Sequence, residues 1–334
     1  MSSDLDTHPV ADRAVRSVPT VDASRLADPR RRDDAVAAIA AACEQWGFFQ
    51  LINHGLPDAL IEAVWREARW LFEQPAGLKR ALERSLDNPW GYYCNELTKN
   101  QRDKKEVFDY TSAGVDPIYA SENRWPANRP AFRTTMLAYF DACTALALRL
   151  VGVLCEGLGL DRGALESYFA GRHTGFIRLN HYPVADPLAA MTTERLSAAD
   201  MGVHHHSDAG ALTLLLQDQV GGLQVYRDGY WYAVEPQAGA LVINTGDMLQ
   251  VWSNDRYQAA VHRVLAMREV ERYSVPFFFN PRADAVIAPL RDGRPGEAAP
   301  RYRPVRWSAF RGARTAGDYA DYGAEVQIAD FRQR

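Results

Sequence analysis

The chain has 334 residues, 47% of them hydrophobic and 24% charged, with 38 Lys and Arg against 42 Asp and Glu. This composition is typical of a globular protein, and a net charge of −4 gives no field that would attract nucleic acid or an anionic membrane surface. A small-molecule partner is therefore expected, and the sequence carries no signal for an oligomeric state.

The beginning of the chain has neither a basic start nor an apolar stretch like that of a signal peptide. We find no run of the roughly 18 to 20 apolar residues that a membrane span needs, so no membrane partner is expected. Four cysteines lie far apart with no C-x-x-C pair: Cys43, Cys94, Cys143 and Cys155. Without a sign of secretion they are expected to be unpaired in a reducing, cytoplasmic environment.

The first half of the chain is predicted to be mainly helical after a mobile tail over residues 1–16. Within an N-terminal region spanning 17–125, helical spacing of apolar residues predicts one helix over Asp34–Trp46 and another opening at Pro57. The buried-type run Phe48–Ile52 between them predicts a strand. Bracing helices should occupy 126–171, because apolar residues step by four and three along Pro130–Glu156.

After about residue 175 the apolar period changes to two, which is typical of strands, and Asp228-Gly229 signals a hairpin. The predicted strands are Phe176–Tyr182, Leu212–Gln217, Leu223–Tyr226, Tyr230–Val234, Ala240–Asn244, Gln258–Leu265 and Arg272–Phe279. So many short strands predict a sandwich or barrel domain over 172–284, covered by the long helix. A C-terminal segment, 285–334, should pack back on this core, giving an α+β fold.

A candidate metal site begins at His206-Ser207-Asp208, where an extended chain would turn the imidazole and the carboxylate to the same face. His262 is the only histidine later in the chain. Two histidines and one carboxylate form the facial triad that is typical of non-haem iron(II) oxygenases. Taken alone, the tripeptide is a common chance match, and the alternative to a metal site is an ordinary polar strand end.

Arg272 and Ser274 share one face of the last predicted strand. A guanidinium holds a carboxylate through two charge-assisted hydrogen bonds, and a nearby hydroxyl can add a third. An inward-facing Arg272 would need an anionic ligand, whereas an outward one would make a surface salt bridge. The same alternation turns Phe278 toward the cavity, where it could form an apolar wall for substrate.

Motifs along nearly the whole chain from Val18 resemble the isopenicillin N synthase-like family of iron(II)/2-oxoglutarate-dependent oxygenases. These motifs are WGFFQLINHG from Trp46, WGYY from Trp90, NHYP from Asn180, HSDAG from His206, LTLLLQD from Leu212, VGGLQV from Val220, NTGDMLQ from Asn244, SNDRY from Ser253, HRV from His262 and RYSVPFFF from Arg272. The resemblance implies a double-stranded β-helix, or jelly-roll, core. It also implies iron ligands His206, Asp208 and His262, and 2-oxoglutarate contacts from Arg272 and Ser274, with Tyr182 assisting and Asn180 near the iron.

The activity implied by the resemblance consumes dioxygen and 2-oxoglutarate, releases succinate and carbon dioxide, and hydroxylates, desaturates or cyclises a small organic metabolite. Two alternatives stay open. Some relatives, the plant 1-aminocyclopropane-1-carboxylate oxidases, act without 2-oxoglutarate, so Arg272 could instead hold a substrate carboxylate; they carry Arg where His204 stands here, which weakens this alternative. The other alternative is a binding or storage barrel that holds metal incidentally.

Overall fold

The computed structural model describes residues 5–11, 17–85, 87–98, 101–184, 201–291, 298–317 and 326–333. Its strands are β1 Thr20–Asp22, β2 Phe48–Ile52, β3 Gly91–Tyr93, β4 Leu97–Thr98, β5 Gln101–Arg102, β6 Glu106–Thr111, β7 Phe176–Tyr182, β8 Met201–His206, β9 Leu212–Gln217, β10 Leu223–Arg227, β11 Tyr230–Ala233, β12 Ala240–Thr245, β13 His262–Leu265, β14 Arg272–Phe279, β15 Val286–Ile287 and β16 Val305–Arg306. Its helices are α1 Arg32–Gln45, α2 Asp58–Phe72, α3 Ala76–Arg80, α4 Pro130–Gly157, α5 Glu166–Phe169, α6 Asp247–Trp252 and α7 Trp307–Gly317, with 3₁₀ turns at Leu5–Thr7, Ala23–Ala27 and Ile328–Phe331.

Two sheets enclose a central cavity. The larger sheet has the order β1-β2-β12-β9-β14-β7-β6-β3, and the smaller has the order β11-β10-β13-β8. Apart from the parallel β1–β2 pair, the neighbours in both sheets are antiparallel. This jelly-roll core with flanking helices is the predicted fold class, and that prediction is confirmed.

The alternation of apolar residues predicted several strands with the bounds that the structure has, namely β7, β9 and β14. The predicted hairpin is also present, since Asp228 and Gly229 both have positive φ between β10 and β11. However, β13 begins at His262 rather than at Gln258. The backbone N–H groups of Gln258 and Ala259 instead donate to the Cys43 carbonyl and the Gln250 side chain, so this stretch is not available to a sheet.

The prediction of a mainly helical first half is wrong between residues 91 and 111, where β3 to β6 lie. β3 and β6 extend the larger sheet beyond β7. Every residue of β6 is buried, including Glu106 and Asp109, so the strand lacks the alternation that marks a half-exposed sheet. The short helix α6 is likewise absent from the predicted elements, because all six of its residues are buried and no polar stripe marks it as a helix.

The long helix α4 is confirmed, and its predicted seam from Phe132 to Val153 is buried. By length and composition α4 is apolar enough to cross a membrane, so the prediction that no such window exists is wrong. More than half of that window is buried inside the protein, where α4 packs against α1, α2, β9 and β14. Burial on several sides accounts for its apolar composition.

The described residues near each end of the chain pack on the jelly roll. In the predicted tail, residues 1–4 and 12–16 lie outside the described residues, whereas Leu5 O accepts a hydrogen bond of 2.7 Å from Trp231 and Val10 bridges to the same residue. At the other end, α7 buries Trp307 and Phe310 in the core. Residues of α7 line the cavity, among them Trp307, Arg311 and Arg314.

Candidate metal centre

Three side chains converge where β8 and β13 pair. Asp208 Oδ1 lies 3.6 Å from His206 Nε2 and 3.7 Å from His262 Nε2, and the three possible ligand atoms lie within 4.8 Å of one another. The two histidines are direct partners in the β8–β13 register. Asp208 lies two residues beyond the end of β8, and its side chain reaches the same site as that of His206, as the spacing of the tripeptide predicted.

A β-bulge in β8 determines which of the three consecutive histidines, His204 to His206, faces the cavity. His206 pairs with His262 but Val203 pairs with Val264, so three steps on β8 match two on β13. His204 consequently turns away and its Nδ1 lies 2.9 Å from Asp103 Oδ1. The bulge thus interrupts the alternation that would place His204 and His206 on the same face of a regular strand.

Backbone carbonyls orient both imidazoles. His206 Nδ1 lies 2.8 Å from the His204 carbonyl, and His262 Nδ1 lies 3.1 Å from the Ala260 carbonyl. Since a carbonyl only accepts, each Nδ1 carries the hydrogen and each Nε2 presents a lone pair toward the site. Burial, together with the neighbouring His262, lowers the pKa of His206 to about 3, so its ring is neutral at pH 7.

Two polar side chains hold the carboxylate of Asp208. Asn244 Nδ2 and Thr213 Oγ1 donate to Asp208 Oδ2 at 2.7 and 2.5 Å, which leaves Oδ1 toward the imidazoles. Burial alone would raise the pKa of Asp208, but the two imidazoles and these hydrogen bonds lower it. Neither orienting residue was predicted from the sequence, although each is a polar residue within an apolar strand, which is a usable signal. Two neutral imidazoles and a carboxylate on one side of a site are a donor set that suits iron(II).

The side chain of Arg272 lies in the same cavity without a counter-ion. It is 1% exposed, and its Nη2 donates to Gln217 Oε1 at 3.1 Å. Within the described ranges, Nε and Nη1 have no hydrogen-bond partner and no carboxylate lies within salt-bridge distance. A buried, uncompensated guanidinium is costly, so this pocket suits an anionic ligand.

The other predicted cosubstrate residues surround Arg272. Asn180 Nδ2 donates to Ser274 Oγ at 3.2 Å, and the Tyr182 ring centroid lies 4.9 Å from the guanidinium carbon. The structure thus brings Asn180, Tyr182, Arg272 and Ser274 together with the triad around one lobe of about 80 Å³, which we call the inner lobe.

An outer lobe of about 140 Å³ adjoins His206 and Asp208 of the triad, and Phe278 lines both lobes. Phe278 stacks on Phe176 with ring centroids 4.7 Å apart. Four cationic residues that were not predicted from the sequence also line the outer lobe: Lys105, Arg178, Arg311 and Arg314. No local motif marks them, since they come from β7, from the loop before β6 and from α7.

Comparison with known families gives two matches to this chain. Residues 173–281 match the 2OG-Fe(II) oxygenase superfamily, and residues 18–128 match the family described as non-haem dioxygenase in morphine synthesis N-terminal. A 1-aminocyclopropane-1-carboxylate oxidase from Musa acuminata is 36% identical over 323 residues, covering 92% of this chain and 94% of that protein. Jasmonate-induced oxygenase 2 from Arabidopsis thaliana is 32% identical over 300 residues, covering 88% of this chain and 78% of that protein.

Solved structures are similar over most of the fold. JOX2 in complex with 2OG, Fe and JA has a TM-score of 0.80 at 28% identity, covering 100% of this chain and 95% of that one. Full-length Neurospora crassa T7H in complex with alpha-KG has a TM-score of 0.79 at 25% identity, covering 92% of this chain and 98% of that one.

Proposed function

The chain belongs to the 2OG-Fe(II) oxygenase superfamily, and from this premise we propose that it binds iron(II) through His206, Asp208 and His262. The enzyme is an oxidoreductase that consumes 2-oxoglutarate and dioxygen, releases succinate and carbon dioxide, and oxidises a small organic molecule. Hydroxylation, desaturation and cyclisation of the substrate are the outcomes that this chemistry allows.

The observation that carries the proposal is that the triad and the uncompensated Arg272 share one lobe. We propose that Arg272 and Ser274 hold the distal carboxylate of 2-oxoglutarate, with Tyr182 against it and Asn180 near the metal. When bound, the iron activates dioxygen together with the cosubstrate. The chain's own residues keep Nε2 of each histidine unprotonated, hold the carboxylate of Asp208 and line the cavity beside it.

The metal assignment is tested by anaerobic iron stoichiometry. His206→Ala, Asp208→Ala and His262→Ala each remove one of three ligands, so each should lose most of the iron and all turnover. His205→Ala is the matched control, because it removes a neighbouring imidazole outside the proposed ligand set. Full iron occupancy in the His206 variant would contradict the assignment.

The cosubstrate assignment is tested by 2-oxoglutarate titration of the iron-loaded protein. Arg272→Leu removes a bidentate charge-assisted contact, so the apparent Kd should rise by about 100-fold or more while iron binding persists. Ser274→Ala removes a single neutral contact and should raise it by about tenfold. An unchanged Kd in Arg272→Leu would favour a different role for this arginine.

A second candidate function is that of an oxidase that does not use 2-oxoglutarate, and it is supported by the 36% identity to a 1-aminocyclopropane-1-carboxylate oxidase. In that case Arg272 would hold the substrate's own carboxylate. One succinate formed per substrate oxidised supports the first function, and substrate oxidation without succinate supports the second. We also propose a cytoplasmic location, which four free, buried cysteines support.

A further inference from the structure

The outer lobe has two kinds of cationic residue. Lys105 Nζ lies 2.7 Å from Glu96 and 3.2 Å from Asp103, and Arg178 lies 2.7 Å from Asp109. These two cations are therefore paired with buried carboxylates and add little net charge to the lobe.

Arg311, on the first turns of α7, is different. It is 6% exposed, and its hydrogen bond goes to a neutral acceptor, the Thr174 carbonyl. Its guanidinium carbon lies 5.0 Å from the Phe176 ring centroid and 5.7 Å from that of Tyr119. No carboxylate lies within 4.0 Å of it in the part of the chain that the structure describes. The aromatic rings stabilise the cation, but it lacks a negative partner while lining a cavity.

Arg314, one turn further along α7, ties this helix to the metal site. Its Nη2 donates to the Ser207 carbonyl at 2.8 Å, between the ligands His206 and Asp208. Arg314 lines the outer lobe together with Arg311. One face of α7 therefore presents two guanidinium groups to the cavity that adjoins the proposed iron site.

We propose that the substrate is a small organic acid whose carboxylate is bound by Arg311, with Arg314 beside it. Its apolar body would lie against Phe176, Phe278 and Trp307, which form the aromatic part of the lobe. This inference rests on the proposed function and names its substrate class. The anion is separate from 2-oxoglutarate, because Arg272 lines the inner lobe and Arg311 the outer one.

The test uses anaerobic protein loaded with iron(II) and 2-oxoglutarate. The probes are phenylacetate, cyclohexylacetate and hexanoate, each paired with its primary amide, and binding is measured by calorimetry. The acids should bind more tightly than their amides. Arg311→Met should weaken acid binding by about 10- to 100-fold and leave amide binding nearly unchanged, as expected for loss of a charge-assisted contact.

Two further variants separate anchoring from folding. Arg311→Lys keeps the charge and should retain most of the acid preference, whereas Arg306→Met removes an exposed arginine nearby and should change nothing. Thermal melting is recorded for all variants. If Arg311→Lys and Arg311→Met lose acid binding equally and both melt early, Arg311 is structural and the inference is overturned.

Iron and 2-oxoglutarate affinities are measured on the same samples. A wild-type protein that binds neither contradicts the proposed function. A protein that binds both, yet takes amides as well as acids or binds none of the acids, overturns the carboxylate anchor alone.

Discussion

At the scale of single residues, the carboxylate of Asp208 has one oxygen held by Asn244 and Thr213 and the other directed to the imidazoles. Partners of this kind orient a metal ligand and raise affinity without touching the metal. Asn244→Ala removes one of the two donors to Asp208 Oδ2, so the carboxylate is held less firmly in its orientation. We expect its iron Kd to rise by about 10- to 100-fold.

The measurement is anaerobic iron titration of Asn244→Ala beside Thr213→Val, which removes the second donor at nearly constant volume. Asn128→Ala, an exposed asparagine away from the site, is the control. Unchanged iron affinity in both site variants would mean that packing alone holds Asp208.

Phe278 either forms part of the wall that contacts the substrate or belongs to the hydrophobic core. It lines both lobes, while its neighbour Phe277 is fully buried and packs on Phe140 of α4 at 5.3 Å. We expect Phe278→Ala to bind iron and 2-oxoglutarate normally but to form succinate without matching substrate oxidation, because a loosely held substrate is misplaced.

Phe277→Ala is the matched comparison and should lose roughly 3 to 5 kcal/mol of unfolding free energy, as a core phenylalanine does. Succinate and oxidised substrate are counted together, and unfolding is measured in urea. If Phe278→Ala is as unstable as Phe277→Ala and its folded fraction stays fully coupled, Phe278 belongs to the core.

At the scale of elements, His173 joins the segment before β7 to α4 and β14. Its ring stacks on Phe140 of α4, with centroids 5.6 Å apart, and meets Phe279 of β14 edge-on at 5.0 Å. The Gly175 N–H donates to its Nδ1 at 3.0 Å, which requires a neutral ring. Burial, with a smaller contribution from Arg172, lowers the pKa of His173 to about 4.

The neutral ring of His173 should make the packing of these elements sensitive to acid. Because the pKa is lower in the folded state, the unfolded chain takes up the proton first as pH falls. The stabilisation is therefore complete above the unfolded pKa of about 6.5 and is lost as pH falls from there toward 4. His173→Phe keeps an aromatic ring but does not titrate. Between pH 6.5 and 5 the wild type should lose up to about 2 kcal/mol more unfolding free energy than the variant.

Urea unfolding at pH 7, 6 and 5 measures this difference. His8→Phe, at a half-buried histidine on the hairpin of the smaller sheet, is the control. Equal acid sensitivity in the wild type and His173→Phe would contradict the assignment of the titration to this ring.

At the scale of the whole molecule, Asp255 fastens the C-terminal segment to the jelly roll. Its carboxylate accepts hydrogen bonds from Arg332 at 2.8 Å, Arg301 at 3.1 Å and Tyr302 at 2.5 Å. Burial alone would raise the pKa of Asp255, but these donors and Gln250 together lower it to about 2. The segment that follows includes α7, so this carboxylate helps to hold one wall of the outer lobe.

Asp255→Asn should loosen that wall at neutral pH. The amide lacks the charge that binds two guanidinium groups, so amide hydrogen exchange over residues 298–317 should speed up by about tenfold or more. In the wild type the same loosening should develop as pH falls from about 4 toward 2, since a lowered carboxyl pKa stabilises only above that window. Exchange mass spectrometry at pH 7 follows the variant, with Asp284→Asn, an exposed ion pair, as control. Equal exchange in the two variants would show that the carboxylate of Asp255 does not hold the C-terminal segment in place.

The sequence by itself determined the parts of this protein that are written locally. Alternation fixed β7, β9 and β14 because a strand's faces repeat every two residues, and the four-and-three spacing located α4. The tripeptide from His206, the single later histidine and the family motifs around them together predicted which side chains converge at the candidate metal centre. In each case the information lies within a few residues of chain or in one unique partner.

Only the tertiary structure decided what depends on pairing between distant segments. The β8 bulge that turns His204 away is visible only against β13, because it is a mismatch between two strands. Likewise, β6 could not be recognised from the sequence, because the groups that pair with its buried carboxylates come from distant segments of the chain. Arg178 and Arg311 look alike in sequence, yet one is neutralised by Asp109 and the other faces a cavity without a carboxylate among the described residues. A periodic pattern reports which face of an element is apolar, but whether a buried charge has a partner is a property of the folded arrangement.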